Sequence, residues 1–186
     1  MIESRPQLTE TVLLLAVPAA DPVVGHHRRE LDRSAADGIP AHLTVVYPFK
    51  PLGEIKEADH ERLARIGREH GPFHVEGIKT AWFGEQVMFV EVNAPQDVHA
   101  LTVDVAAAFP DHPPYSGDIP LAQIVPHLTV GAGAPASALR TAARAVDEAL
   151  PFSQEVRAME LWAGPPIEGR AHPAPWSRVR SYALGG

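Results

Sequence analysis

The 186-residue chain contains no cysteine. That single absence removes disulfides, thiolate zinc sites and a cysteine nucleophile, and it fits a reducing cytoplasm. Basic excess is also missing. Sixteen Lys and Arg stand against twenty-three Asp and Glu, for a net charge of −7. Such a chain lacks the cationic footprint with which proteins grip a long duplex, so a small or terminal phosphate is the better anionic partner. Long apolar runs are absent too. The nearest, Thr11 to Ala20, is interrupted by Pro18 and preceded by Glu3 and Glu10 as well as Arg5, whereas a secretory leader begins basic. It reads as a buried first strand, and no segment reaches the length that spans a membrane. Neither a Walker loop, a GxGxxG nor a GxSxG sequence occurs.

What is present suits one folded unit over residues 1–186. Hydrophobic residues make up 45% of the chain, enough to fill an interior, and 19 prolines and 14 glycines punctuate short elements. Strands are expected at Leu13–Val17, Ala41–Tyr47, Phe73–Phe83, Gln86–Asn93, Ile124–Val130, Gln154–Trp162 and Ser177–Leu184. Helices are expected at His26–Asp32, Glu57–His70, Gln96–Phe109 and Ala136–Leu150. His26–Asp32 reads as a solvated helix, so Arg28 and Arg29 are placed on its wet face. The mixture, with a tight hairpin at Gly84-Glu85, predicts α+β architecture.

A repeat runs through the chain. Ala41-His42-Leu43-Thr44-Val45 returns 85 positions later as Pro126-His127-Leu128-Thr129-Val130. Each copy is followed by a helix, a Pro-Phe pair (Pro72-Phe73, Pro151-Phe152), a strand and a tryptophan (Trp82, Trp162), both tryptophans being expected in the core. In a strand, alternate side chains face opposite ways. Each copy can therefore bury its Leu and Val while presenting an imidazole and a hydroxyl to a cleft.

Two imidazoles and two hydroxyls across a cleft suit cleavage of a phosphodiester. One histidine activates water as a base, the other protonates the departing oxygen, and the threonines donate to the phosphate oxygens. No metal or cofactor is needed by this design. A lone histidine in a strand is more often a structural residue; the repetition of the whole context is what favours chemistry. Tyr115, in the Pro- and Gly-rich loop Asp111–Pro120, and Phe49, just past the first motif, are candidate substrate contacts, with core packing the competing role for Phe49. The remaining histidines show no ligand spacing.

These motifs resemble those of the two-histidine (2H) phosphoesterase superfamily, especially its 2′-5′ RNA ligase-like and cyclic phosphodiesterase members. The family is marked by two H-x-[ST]-hydrophobic segments, matched here by His42-Leu43-Thr44-Val45 and His127-Leu128-Thr129-Val130, with Tyr47-Pro48-Phe49 and Pro126 as supporting neighbours. The resemblance implies a bilobal, pseudo-twofold fold in which two antiparallel sheets flank a central cleft with helices outside. It also implies hydrolysis or transfer at 2′,3′-cyclic or 2′-5′ phosphate esters of nucleotides or RNA ends; apart from the resemblance, the chain is expected to be cytoplasmic and monomeric. His127 would be the base, His42 the acid, and Thr44 and Thr129 the phosphate ligands. A non-catalytic nucleotide- or RNA-end-binding module that kept the cleft is the alternative.

Overall fold

In the computed structural model, residues 9–166 and 172–185 are described. Glu3 and Arg5, and residues 167–171 between the last two expected strands, lie outside them. The elements run β1 (Glu10–Ala16), α1 (Asp21–Leu31), α2 (Arg33–Ala36), β2 (His42–Val46), α3 (Glu57–Glu69), β3 (Phe73–Phe83), β4 (Val87–Val92), α4 (Pro95–Ala108), β5 (His127–Ala132), α5 (Ala136–Ala149), β6 (Ser153–Val156), β7 (Ala158–Gly164) and β8 (Ser177–Ala183). Two four-stranded antiparallel sheets result, in the orders β2-β1-β7-β8 and β5-β4-β3-β6. The architecture is the α+β, two-sheet arrangement expected.

The repeat is a structural one. Both histidine strands are sheet edges, each paired with the strand that opens its half of the chain. On β2, Ala16 faces His42 and Leu14 faces Thr44, then the register slips by one residue. On β5, Glu91 faces His127 and Phe89 faces Thr129, followed by the same slip. Val45 and Val130 therefore occupy equivalent bulges, a device that re-aims side chains beside active sites. The two halves also pair directly, β3 with β6, antiparallel from Phe73 opposite Val156 to Glu76 opposite Ser153.

The helices are exchanged between halves. Helix α1, which leads into β2, packs on β5 of the other sheet, and α4, which leads into β5, packs on β2. The exchange braces both edge strands from behind and joins the halves through one continuous core. Leu43, Val45, Leu128 and Val130 all enter that core, while His42, Thr44, His127 and Thr129 stay partly accessible. Burying each such aliphatic side chain contributes about 1.5–3 kcal/mol, so the alternation alone holds each strand to one face.

Three expectations need correction. The segment Gln154–Trp162 is not one strand but β6 and β7, divided at Arg157, and each part belongs to a different sheet. Residues Ile124–Pro126 lie outside β5, behind a short 3-10 turn at Leu121–Gln123. Trp82 and Trp162 are only half-buried at the core margin, and the Trp162 indole donates to Glu160 Oε2 at 2.8 Å.

Candidate active site

Residues of both motifs meet in one cleft. His42, Thr44 and Thr129 line a single cavity of about 190 Å³, together with Val12, Asp32, Ser34, Ile39, Tyr47 and Trp176. His127 lines a second cavity with Tyr115. The two rings are near enough that a charge on His127 opposes protonation of His42.

Both imidazoles are held the same way. His42 Nδ1 bonds the carbonyl of Pro40 at 2.8 Å, and His127 Nδ1 bonds that of Val125 at 2.7 Å, in each case two residues upstream. A carbonyl only accepts, so Nδ1 carries the proton and donates. Nε2 is then the nitrogen available to a substrate, and neither Nε2 has a hydrogen-bond partner among the described residues. This is the tautomer that suits acid–base chemistry at Nε2.

Their surroundings differ. Burial pushes the His42 imidazole down to about 4, helped by the Arg28 guanidinium and opposed by the Pro40 carbonyl and Asp32. His127 is also lowered, by burial, against the Val125 carbonyl. Its ring sits edge-on to Phe83, with centroids 4.9 Å apart, and beside Phe89 at 5.2 Å. Both rings are thus neutral at pH 7 in the open cleft.

Arg28 is not on a wet helix face. It is buried, and its Nε and Nη2 donate to Asp32 Oδ2 at 3.1 and 2.8 Å, while Nη2 also donates to Ser34 Oγ at 3.0 Å. Asp32 Oδ1 accepts from the Ser34 amide and Oδ2 from the Ser34 hydroxyl, so the carboxylate caps α2 as well. Sequence reasoning missed this network, although an Arg and an Asp four apart on a helix, followed by Asp-x-Ser, carried the signal. It also missed Trp176, the one tryptophan that the repeat does not explain.

The two candidate substrate contacts separate. Tyr115 is at the cleft: its amide donates to the carbonyl of Tyr47 at 2.7 Å, and its side chain lines the cavity of His127. Tyr115 and Ser116 hold φ of 52° and 55°, a left-handed conformation costly for residues with a Cβ and typical of functional loops. Phe49 is not at the cleft. It is 4% exposed in the main core, edge-on to Phe109 at 5.1 Å, so its role is packing. Among the described residues, no three or more His, Asp or Glu side chains gather as metal ligands, and no helix is long and apolar enough to cross a membrane.

No curated protein matches the chain. Solved structures do, at the level of fold. Escherichia coli LigT complexed with 3′-AMP superposes with a TM-score of 0.60 at 14% identity, covering 95% of this chain and 98% of that one. A protein described as a phosphoesterase gives 0.60 at 16% identity, covering 96% and 99%. A Thermus thermophilus protein, TT0787, gives 0.53 at 17%, covering 95% and 98%. The sequence model of the 2′-5′ RNA ligase superfamily matches residues 16–164, which is most of the chain, and with both motifs set in a LigT-like fold the protein belongs to that superfamily.

Proposed function

We propose that the protein is a metal-independent phosphodiesterase that hydrolyses 2′,3′-cyclic or 2′-5′ phosphate esters of nucleotides or RNA ends. The observation that carries this reading is the matched pair of Nδ1–carbonyl bonds, which leaves both histidines presenting Nε2 from equivalent edge strands. LigT, similar in fold, has been crystallised with 3′-AMP, ATP and NADP+, all nucleotides.

In the proposed step, neutral His127 takes a proton from water as the water oxygen bonds to phosphorus. The bond from phosphorus to the ribose oxygen breaks, and His42 delivers a proton to that oxygen. Thr44 and Thr129 donate to the non-bridging oxygens, where charge accumulates. His42 lies well below its ordinary range in the open cleft, and an anionic phosphate beside it supplies the charge that favours imidazolium. The protein would cycle between a neutral pair and a pair sharing one proton.

The test is turnover of 2′,3′-cyclic nucleotides and 2′-5′ dinucleotides, with product positions assigned by phosphorus NMR. His42→Ala and His127→Ala are each expected to lower kcat by about a hundred- to ten-thousand-fold while the fold persists. Turnover should survive dialysis against a strong chelator. Full activity in either single variant defeats the mechanism, and binding without turnover by the wild-type protein leaves only the binding module.

A further inference from the structure

One wall of the phosphate cavity comes from the far end of the chain. Trp176 stands immediately before β8, beyond the residues 16–164 that the superfamily model matches, yet it lines the cavity with His42, Thr44 and Thr129. It is 4% exposed and clusters with Val12, Leu14 and Ile39 in a small core separate from the main one. The indole lies so close over Gly164 that a Cβ there would overlap it, and its Nε1 donates to the Pro165 carbonyl at 3.0 Å. From that seat the segment before β8 grips the turn ahead of the first motif. The Trp176 amide donates to the Asp37 carbonyl at 2.8 Å, and the Ala174 amide to Asp37 Oδ1 at 2.8 Å. Asp37 is itself buried.

What that turn carries is the Pro40 carbonyl, the acceptor that fixes the His42 tautomer. The turn has two holds. One comes from α1 and α2: Arg28 Nη1 donates to the Ile39 carbonyl at 3.4 Å, and the Ile39 amide donates to the Ser34 carbonyl at 3.0 Å. The other is Trp176, through its cluster with Ile39 and its bond to Asp37. The second motif is arranged otherwise. Val125, whose carbonyl orients His127, is 49% exposed, and the segment before it turns on itself, the Ile124 amide donating to the Leu121 carbonyl at 3.2 Å.

We propose, resting on the phosphodiesterase reading, that Trp176 is a positioning residue of the first histidine. Seated over Gly164, the indole holds the turn from Asp37 to Pro40 in place, so that the Pro40 carbonyl keeps His42 Nε2 aimed at the phosphate. The chain thus completes its site with a side chain from outside the matched superfamily segment. Small displacements matter at such a group, because a shift of about 1 Å costs about a hundredfold in rate. Trp176 acts through His42, so its loss falls on kcat rather than on KM.

Trp176→Ala is expected to lower kcat on adenosine 2′,3′-cyclic phosphate by about a hundredfold with KM little changed. Trp176→Phe, which refills the seat, should recover most of that loss. Nitrogen NMR of the imidazoles in the free protein at neutral pH reads the cause directly and needs no turnover. In Trp176→Ala, His42 should lose its single Nδ1-protonated form and show both tautomers, while His127 keeps the wild-type pattern. Gly164→Ala leaves the indole present but unseats it, so it should move His42 the same way, and it decides alone if Trp176→Ala does not fold. A merely structural tryptophan would lower stability in urea and leave the His42 tautomer of the folded protein untouched. That result overturns the proposal, as does a change shared equally by His42 and His127, or a fall in kcat with the His42 tautomer intact. If the wild-type protein turns over no phosphate ester, the phosphodiesterase reading is what fails, and an unmoved His42 in these variants then overturns the role of Trp176 separately.

Discussion

The two halves of the molecule present the same four-residue segment on equivalent edge strands, with the same bulge and the same carbonyl behind each imidazole. They differ in what stands around the rings. His42 shares its cavity with Asp32 and Ser34, behind which Arg28 is buried. His127 is surrounded by Phe83, Phe89 and the aliphatic walls of its own cavity. Helix α1 carries the buried ion pair Arg28–Asp32 near its end, whereas the buried polar residue of α4, Thr102, only bonds back to its own helix at the Val98 carbonyl. A duplicated frame has thus kept its geometry and diverged in its electrostatics. Symmetry brings residues of both motifs to one cleft; asymmetry gives the two histidines different surroundings.

The comparison breaks most visibly at Arg28. Removing one partner of a buried ion pair leaves the other charge uncompensated, which costs about 3–5 kcal/mol. Arg28→Met should therefore lower stability by about that amount in urea titration. It should also raise the pKa of His42, which loses a nearby cation and keeps Asp32. NMR titration of the imidazole reads this directly. The electrostatic contrast between the halves is wrong if Arg28→Met leaves both stability and the His42 titration where they were.

Acid sharpens the same contrast at smaller amplitude. The folded-state pKa of His42 lies below its unfolded value, so from about 6.5 down to about 4 the unfolded chain binds more protons than the folded one. Stability contributed by the neutral ring is full above that window and is lost as pH falls through it. The lowering corresponds to roughly 2–3 kcal/mol once solvent in the open cleft is allowed for. His127, also lowered, acts in the same direction. His42→Asn keeps a donor for the Pro40 carbonyl and removes the titration. Its unfolding midpoint should fall less steeply between about pH 6.5 and about pH 4 than the wild-type midpoint does. His127→Asn should flatten the profile less than His42→Asn; the reverse order contradicts the assignment of environments.

The site was legible in the sequence where chemistry and periodicity coincide, and hidden where packing decides. His-x-Thr at period two fixes which side chains share a face, and the second copy is what lifts the first above an ordinary histidine in a strand. Arg28 could not be placed that way. Its neighbours His26, His27, Arg29 and Glu30 make the helix look solvated, and only the packing of α1 across to β5 shows that Arg28 shares the inward face with Val24 and Gly25. Phe49 admits two readings in the sequence, a ligand contact just past a motif or a core residue, and its contact with Phe109, sixty residues on, settles it for the core. The break at Arg157 is invisible because alternation continues on both sides; what changes is the sheet that each part joins. The cavity of His127 was hidden because its walls, Phe83, Ile119 and Val125 among them, come from separate segments, none with a pattern of its own.

The smallest expected effect tests the symmetry itself. One position past each bulge, the first half has Val46, opposite Leu13, and the second has Gly131, opposite Met88. Val46 is fully buried. At Gly131, a Cβ would come within 2.5 Å of Leu139 Cδ2 and 2.9 Å of Leu31 Cβ. Helices α1 and α5 close on β5 at this point, and the glycine is what lets them do so. Gly131→Val makes the two motifs identical over five residues, so a view based on sequence symmetry expects it to be harmless or, through β-propensity, mildly stabilising. Packing predicts the opposite, because overfilling a close-packed core costs about 1–3 kcal/mol. Thermal unfolding separates the two. The further pairing of Gly131→Val with Leu139→Ala tests the cause, since space freed at Leu139 should recover part of the loss only if that contact produced it.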